Sequence, residues 1–203
     1  KKMELPTLPP PSSLTSVEDF VNAVSILFEP APPLAKALFE AHQKSPMKDY
    51  RAIISAAKGA IQVMDSAAKL EVINAHPRIG QKDASKLSKF SKIEQGMTEE
   101  NKVISAEEQK ILEDFKNLNA DYEKKFGFKF IIFVNGRPKK DLLPIGRKRM
   151  ENSRDMELAT GIKAMLDIAV DRLKKIEKAE GAKTTLESKK NNDDSPVSEA
   201  SKL

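Results

Sequence analysis

The 203-residue sequence contains no cysteine and only two histidines, His42 and His76. The absence of cysteine excludes disulfide bonds, thiolate nucleophiles and cysteine metal ligands. With two imidazoles as the only nitrogen ligands, a zinc site would need several carboxylates at a spacing that we do not recognise in this sequence. We therefore predict that the chain holds no metal.

Aromatic side chains are also scarce, with no tryptophan and two tyrosines, although the net charge is +5. A positive charge is compatible with a nucleic-acid partner. However, few rings are available to stack on bases. An anionic small-molecule substrate explains a modest excess of positive charge equally well.

Long apolar runs are missing too, and none approaches the roughly 18 residues that a membrane-spanning helix needs. Hydrophobic residues make up 39% of the chain and charged residues 32%, which is typical of a soluble helical protein. The length suits one domain with a sizeable core plus tails. We therefore predict a single domain with no membrane segment.

Helical spacing of apolar residues predicts an all-α fold, a single-domain bundle of about eight helices within residues 17–180. Proline-rich residues 1–16 predict a flexible, extended arm, and the polar residues 181–203 predict a disordered tail. The strand-like run 128–134 has no second strand with which to pair, so we interpret it as an apolar core segment. The clearest helical segments are 15–28, 34–43, 48–64, 66–75, 106–126 and a last helix, capped by Asn152 and Asp155, that ends near Glu180.

Candidate chemistry lies in two short stretches, 74–80 and 91–95. The first must leave its helix at His76, because Pro77 disfavours the helical conformation of the residue before it. We therefore expect His76 on an exposed corner. An imidazole that titrates near neutral pH, together with Glu94, forms a candidate acid–base pair.

Both residues also have ordinary structural interpretations. A histidine at a helix C-terminus can simply bind the last carbonyls of the helix. The pattern Ser91-x-x-Glu94 fits a capping box, in which both side chains bind backbone amides at a helix start. The local sequence does not decide between capping and catalysis.

Four motifs follow one another along the chain: AHPRIG at 75–80, SKIEQ at 91–95, LNADYEKKFGFKF at 118–130, and Arg149-Met150-x-Asn152 with Glu157. In this order they resemble the 2-oxo-4-hydroxy-4-carboxy-5-ureidoimidazoline (OHCU) decarboxylases of uric acid catabolism. The resemblance covers roughly residues 17–176, although Gly96–Asn101 departs from the family pattern and leaves the loop geometry there open.

The resemblance implies decarboxylation of OHCU to (S)-allantoin by a homodimer without a cofactor. It implies that His76 donates a proton and that Glu94 acts as the base. Arg172, in the last helix, would anchor the substrate together with Gln95. The other residues expected to bind the substrate are Pro77, Ser91, Lys92, Ile93, Phe130, Ile131, Ile132, Phe133 and Val134.

The sequence ends in Ser201-Lys202-Leu203, which matches a peroxisomal targeting signal recognised by an import receptor. We therefore predict a peroxisomal enzyme with no nucleic-acid partner. The alternative is a helical module that binds nucleic acid or an acidic protein through its basic residues between 137 and 149. These residues are Arg137, Lys139, Lys140, Arg147, Lys148 and Arg149.

Overall fold

A computed structural model describes residues 4–81, 85, 87–95 and 105–193, and the side chains of these residues up to 182. The predicted Gly96–Asn101 departure and the Ser201–Leu203 signal lie outside the described residues. Within them the fold is all-α, as predicted, and contains no β-strand. The helices are α1 (Val17–Phe28), α2 (Pro32–Lys44), α3 (Tyr50–Val63), α4 (Ser66–Asn74), α5 (Lys89–Glu94), α6 (Ala106–Phe126), α7 (Lys139–Arg149) and α8 (Arg154–Asp193). None of these described helices is long and apolar enough to cross a bilayer.

Local signals set most helix ends where the sequence predicts them. Ser16 caps α1, and its hydroxyl accepts a hydrogen bond from the Asp19 amide. Ser105 and Glu108 form the predicted capping box of α6, which ends at Gly127 with φ +81°. The last helix differs, because Ser153 rather than Asn152 or Asp155 accepts from its first turn. The helix also continues to Asp193, well beyond the predicted end near Glu180, since no proline or glycine after Gly181 interrupts it in that range.

The buried apolar residues form two clusters that meet at α4 and α8. The first joins α1, α2 and α3 to one face of α8, through Met165, Ala169 and Leu173. The second joins α6, α7 and the segment Phe128–Ile132 to Ala164 and Ile168 on a neighbouring face of α8. Two consecutive residues of α4 also divide between the clusters, Val72 in the first and Ile73 in the second. These two helices therefore hold the two halves of the core together.

The N-terminal arm packs against the first cluster, unlike the flexible arm that we predicted. Leu14 is buried, and Leu5 and Leu8 are partly buried against the cluster. The hydroxyl of Tyr50 donates to the carbonyl of Pro9 at 2.6 Å. The arm contains apolar residues between its prolines, and these gain by leaving water even though proline prevents a longer helix.

Residues Phe128–Val134 form the irregular core segment that the sequence indicates. Side chains take the place of a partner strand in satisfying its backbone. The Lys129 amide donates to the Asn74 side chain at 3.0 Å, and Arg149 donates from Nη1 to the Ile131 carbonyl at 2.8 Å. Arg149 itself is held by the fully buried Glu157, which also accepts hydrogen bonds from Tyr122 and Asn152. This network fixes the segment in a single position against α6 and α8.

Candidate active site

A cavity of about 160 Å³ opens where α4, α5, α8 and the segment 128–136 come together. Its wall contains every residue predicted for the site except Lys92, which is half-buried on α5 but does not line the cavity. The wall residues that the sequence did not indicate are Ile79, Asn135, Gly136, Ile168, Asp171 and Lys175. The targeting residues 201–203 are not among the described residues.

His76 is 3% exposed, so the prediction of an exposed corner is wrong. The chain does leave the helix there, but the segment after α6 packs over the turn. Lys129 donates from Nζ to the carbonyls of Asn74 at 2.5 Å and His76 at 3.0 Å, and so caps the end of α4. The alternative that His76 caps its own helix is therefore also wrong. Neither ring nitrogen has a hydrogen-bond partner among the described residues.

Burial, with the positive charges of Arg172 and Lys129 nearby, lowers the pKa of His76 to about 3. The ring is thus a neutral imidazole at physiological pH, with one nitrogen able to donate and the other able to accept. Two unpartnered nitrogens in a buried position are unusual in proteins. Because the ring lines the cavity, both groups are available to a bound molecule.

Arg172 is 1% exposed and is the largest fully buried side chain among the described residues. Its Nε and Nη2 donate to the two carboxylate oxygens of Glu94, at 2.9 and 2.8 Å. Its Nη1 donates to the carbonyls of Ile26 and Leu27 at the end of α1, both at 3.3 Å. In the sequence, Arg172 follows Met165 and Ala169 on one apolar stripe of the last helix, so its guanidinium needs a partner. Glu94 is that partner.

Ser91 and Glu94 do not form a capping box. The N-cap of α5 is Ser88, whose hydroxyl accepts from the Ser91 amide at 3.2 Å. Ser91 therefore lies inside the helix, one turn later than a cap. Both side chains turn away from the helix start towards Arg172, which donates to the Ser91 hydroxyl at 3.1 Å.

Glu29 is a member of this cluster that the sequence analysis missed. It is 4% exposed, and its Oε1 lies 2.8 Å from Arg172 Nη2. The same oxygen accepts from the hydroxyls of Ser88 and Ser91, both at 2.7 Å. One signal was present in the sequence: an acidic residue at a helix C-terminus faces the negative end of the helix dipole, so another contact must hold it there.

Gln95 lines the cavity, but its amide is already bonded to the turn that follows His76. The side-chain oxygen accepts from the Gly80 amide at 3.0 Å, and the nitrogen donates to the Arg78 carbonyl at 3.2 Å. Lys139 Nζ also donates to the main-chain carbonyl of Gln95 at 2.7 Å. Gln95 therefore fixes the end of α5 against the His76 turn.

The basic residues of the alternative interpretation do not form one solvated surface. Arg149 pairs with buried Glu157, with the two side chains 11% and 0% exposed. Lys139 is half-buried against Gln95, and Arg137 folds back onto the carbonyls of its own turn. Charges bound in this way are not free to contact phosphate groups, so the structure gives no support to a nucleic-acid interface.

Candidate metal ligands do not gather anywhere in the part of the chain that the structure describes. No group of three or more histidine, aspartate or glutamate side chains there could hold an ion. The cavity wall instead combines a neutral imidazole, an ion-paired carboxylate and apolar side chains. Such a site can move protons on a small molecule while excluding most water.

The sequence matches the family model described as OHCU decarboxylase over residues 13–174. It is 27% identical over 159 residues to 2-oxo-4-hydroxy-4-carboxy-5-ureidoimidazoline decarboxylase of Halalkalicoccus jeotgali, covering 78% of this chain and 85% of that protein. It is 24% identical over 164 residues to the uric acid degradation bifunctional protein of Bacillus sp. (strain TB-90), covering 79% of this chain. The chain spans only 30% of the length of that bifunctional relative.

The fold also resembles a solved structure, a crystal structure of OHCU decarboxylase in the presence of (S)-allantoin. The TM-score is 0.53 at 25% sequence identity, and the match covers 72% of this chain and 92% of the other.

Proposed function

Because the chain belongs to the OHCU decarboxylase family, we propose that it is a carboxy-lyase that converts OHCU to (S)-allantoin in uric acid degradation. The reaction needs no cofactor on chemical grounds. The departing carboxylate of OHCU lies beta to a carbon–nitrogen double bond, which can take the electron pair as CO2 leaves. The protein must then manage two protons.

The protons balance as follows. The bond between C4 and the carboxylate breaks, a double bond forms between C4 and C5, and the ring nitrogen that receives the displaced electron pair takes up one proton. The C4 hydroxyl then loses its proton as the carbonyl forms, and C5 gains a proton on one face. One proton is consumed overall, and that proton accompanies the release of CO2.

The observation that carries this proposal is the pair of unpartnered ring nitrogens of His76 in the cavity wall. The lowered pKa means that His76 enters the reaction as a neutral ring. An anionic substrate beside it raises its pKa, because an opposite charge favours the imidazolium form. When the carboxylate leaves as neutral CO2 that effect disappears, and the imidazolium gives its proton to the ring nitrogen.

Glu94 is suited to transfer the second proton, which moves from the C4 hydroxyl to C5. Its two oxygens accept from Arg172, which holds the carboxylate in one orientation. We assign it to accept the hydroxyl proton and to return it to one face of C5. The apolar side chains of Phe130–Val134 also line the cavity, where exclusion of water favours the loss of charge as CO2 forms.

The direct test follows the optical activity of freshly generated OHCU with and without the protein, because the substrate decays spontaneously to racemic allantoin. We expect faster decay and an excess of the (S) enantiomer. A doubly substituted variant, Lys140→Ala with Lys148→Ala, removes exposed charges of the basic region and should retain this activity at moderate salt. Racemic product at the spontaneous rate would contradict the proposal.

We further propose that the protein is a homodimer delivered to peroxisomes by its import receptor. The support for the dimer is the family resemblance, and that for the address is the C-terminal Ser-Lys-Leu. Light scattering after size-exclusion chromatography tests the dimer at the concentrations of the activity assay. A fully active monomer would exclude a role for the dimer in catalysis.

A further inference from the structure

Glu29 stands behind the cavity wall and does not line it, yet it contacts two residues that do. Its Oε1 receives the Ser91 hydroxyl at 2.7 Å and lies 2.8 Å from Arg172 Nη2. The Ser88 hydroxyl reaches the same oxygen at 2.7 Å. In these contacts Oε1 of Glu29 acts only as a hydrogen-bond acceptor.

The backbone of Glu29 indicates that its side chain is required at this position. Its φ is +63° with ψ +167°, a conformation that residues other than glycine rarely adopt. Strain of this kind persists where surrounding contacts impose it, and it is concentrated at functional sites. Glycine would fit the backbone of this helix end without strain, but glycine would leave Ser91 and Arg172 without this partner.

The chemistry of these contacts fixes the direction of every hydrogen bond at Ser91. The Ser91 hydroxyl donates its proton to Oε1 of Glu29 at 2.7 Å. A guanidinium cannot accept, so Ser91 receives the hydrogen bond from Arg172 at 3.1 Å. The Ser91 Oγ therefore has only a lone pair left, which can accept a hydrogen bond from a molecule in the cavity. Glu94, ion-paired with Arg172, offers only lone pairs as well.

We infer that Glu29 is a positioning residue that makes the Ser91–Glu94 wall a surface of hydrogen-bond acceptors, selective for the N–H groups of a ureido substituent. This inference deepens the proposed function and rests on it. Such a wall binds the ureido and hydroxyl donors of the substrate and repels its carboxylate. The carboxylate is thereby turned towards His76 and the apolar segment Phe130–Val134, where it is lost as CO2.

The test compares Glu29→Gln with Glu18→Gln, an exposed glutamate on the same helix, α1. Glutamine keeps the shape of Glu29 but loses the charge that holds Arg172 and the Ser91 proton. The readouts are the KM for OHCU, the calorimetric Kd for (S)-allantoin, which carries ureido N–H groups and no carboxylate, and the melting temperature. We expect KM and Kd to rise about tenfold in Glu29→Gln, the usual effect of losing a charged hydrogen bond. The melting temperature should change by only a few degrees, and Glu18→Gln should match the wild type.

A double-mutant cycle with Ser91→Ala distinguishes a positioning role of Glu29 from a purely stabilising one. If Glu29 acts through Ser91, the double variant should bind (S)-allantoin no more weakly than about the worse single variant. Additive losses, or a wild-type Kd in Glu29→Gln, would overturn the inference. If Glu29→Gln does not fold, Glu29→Asp keeps the charge but withdraws the oxygen by one methylene. Wild-type binding in that variant would equally overturn it.

The assay also distinguishes the two proposals. A wild-type protein that binds (S)-allantoin but yields only racemic product contradicts the proposed reaction and does not contradict the inference about the Ser91–Glu94 acceptor surface. An active wild type whose KM and Kd are insensitive to Glu29 contradicts the inference alone. A wild type that neither binds nor reacts contradicts both.

Discussion

Arg172 and Glu94 form a bidentate ion pair across 78 positions of sequence, with N–O distances of 2.9 and 2.8 Å. The arginine side chain is 1% exposed and the glutamate side chain is 17% exposed. Removing one member of so buried a pair leaves the other charge only partly compensated. The same contact therefore affects both stability and chemistry, unlike the helix cap that the sequence allowed.

Replacing Glu94 with glutamine should reduce activity by about a hundredfold or more, because an amide cannot accept the hydroxyl proton. The free energy of unfolding should fall by about 2 kcal/mol, since a neutral amide is a weaker acceptor for buried Arg172, which still keeps Glu29. Urea denaturation and the optical assay on one preparation measure both effects. Glu177→Gln is the control, because its pair with Arg51 is largely exposed, at 40% and 72%. Retained activity in Glu94→Gln would remove it from the mechanism.

Replacing His76 with glutamine should abolish the enantiomeric excess and slow decarboxylation by about a hundredfold or more. Glutamine partly fills the buried site but cannot carry a proton between two nitrogens. His42→Gln is the matched control, since His42 lies outside the cavity and accepts from the Met47 amide. Circular dichroism establishes that both variants are folded. A folded, fully active His76→Gln enzyme would show that the ring is a wall residue only.

The lowered pKa of His76 predicts a specific dependence of stability on pH. Below about pH 6.5 an unfolded histidine binds a proton that the folded, buried His76 does not bind until the pH approaches about 3. Its contribution to stability is therefore fully present above pH 6.5 and is lost as the pH falls towards 3. At pH 5 the loss should be about 2 kcal/mol relative to pH 8.

Denaturation of the wild type and His76→Gln across this pH range measures the effect, because the other titrating groups are common to both proteins. The wild type should lose more stability on acidification than the variant. Parallel curves would mean that His76 titrates alike in the folded and unfolded chains.

Two helical glycines should respond oppositely to alanine. A Cβ at Gly146 would lie 2.5 Å from Leu118 Cδ2 and 3.1 Å from the ring of Phe130, a cavity residue. Gly146→Ala should therefore cost about 1–3 kcal/mol and disturb the substrate site. A Cβ at Gly59 meets nothing within 4 Å, so Gly59→Ala should stabilise the protein by about 0.5–1 kcal/mol. Thermal melts and KM values measure both, and equal effects would contradict the packing described for Phe130.

Removal of Ser201–Leu203 should leave activity in solution unchanged and release the protein into the cytosol. We proposed above that an import receptor recognises these three residues, and they lie outside the residues that the family model matches. Fluorescence microscopy of a protein tagged at its N-terminus, with and without these residues, measures the change. A truncated protein that still reaches peroxisomes would point to another signal or a co-imported partner.

Features encoded in neighbouring residues were accessible from the sequence. The capping box at Ser105 and the left-handed residue at Gly127 each depend on a few adjacent positions, and both ends of α6 are as predicted. The absence of a partner strand for residues 128–134 is a property of the whole sequence, and it also led to the correct interpretation. The need of Arg172 for a partner followed from the apolar stripe on which it lies.

Features that depend on distant packing were not accessible in the same way. His76 leaves its helix as Pro77 predicts, but its burial depends on Lys129 and its neighbours, more than fifty residues later. Glu29 was missed because its three partners come from two other helices. The family motifs indicated which residues gather at the site, but not the direction of any hydrogen bond between them.

The contacts of Arg172 Nη1 with the carbonyls of Ile26 and Leu27 have a consequence for the order of folding. They join positions 146 and 145 residues apart, at opposite ends of the domain. Contacts of such long range form late, because closing a long loop costs entropy before any contact can offset it. During synthesis, the carbonyls at the end of α1 and the carboxylate of Glu29 are therefore without this guanidinium until α8 has been made. The cluster around Arg172 is thus complete only after the last helix of the domain has joined the first.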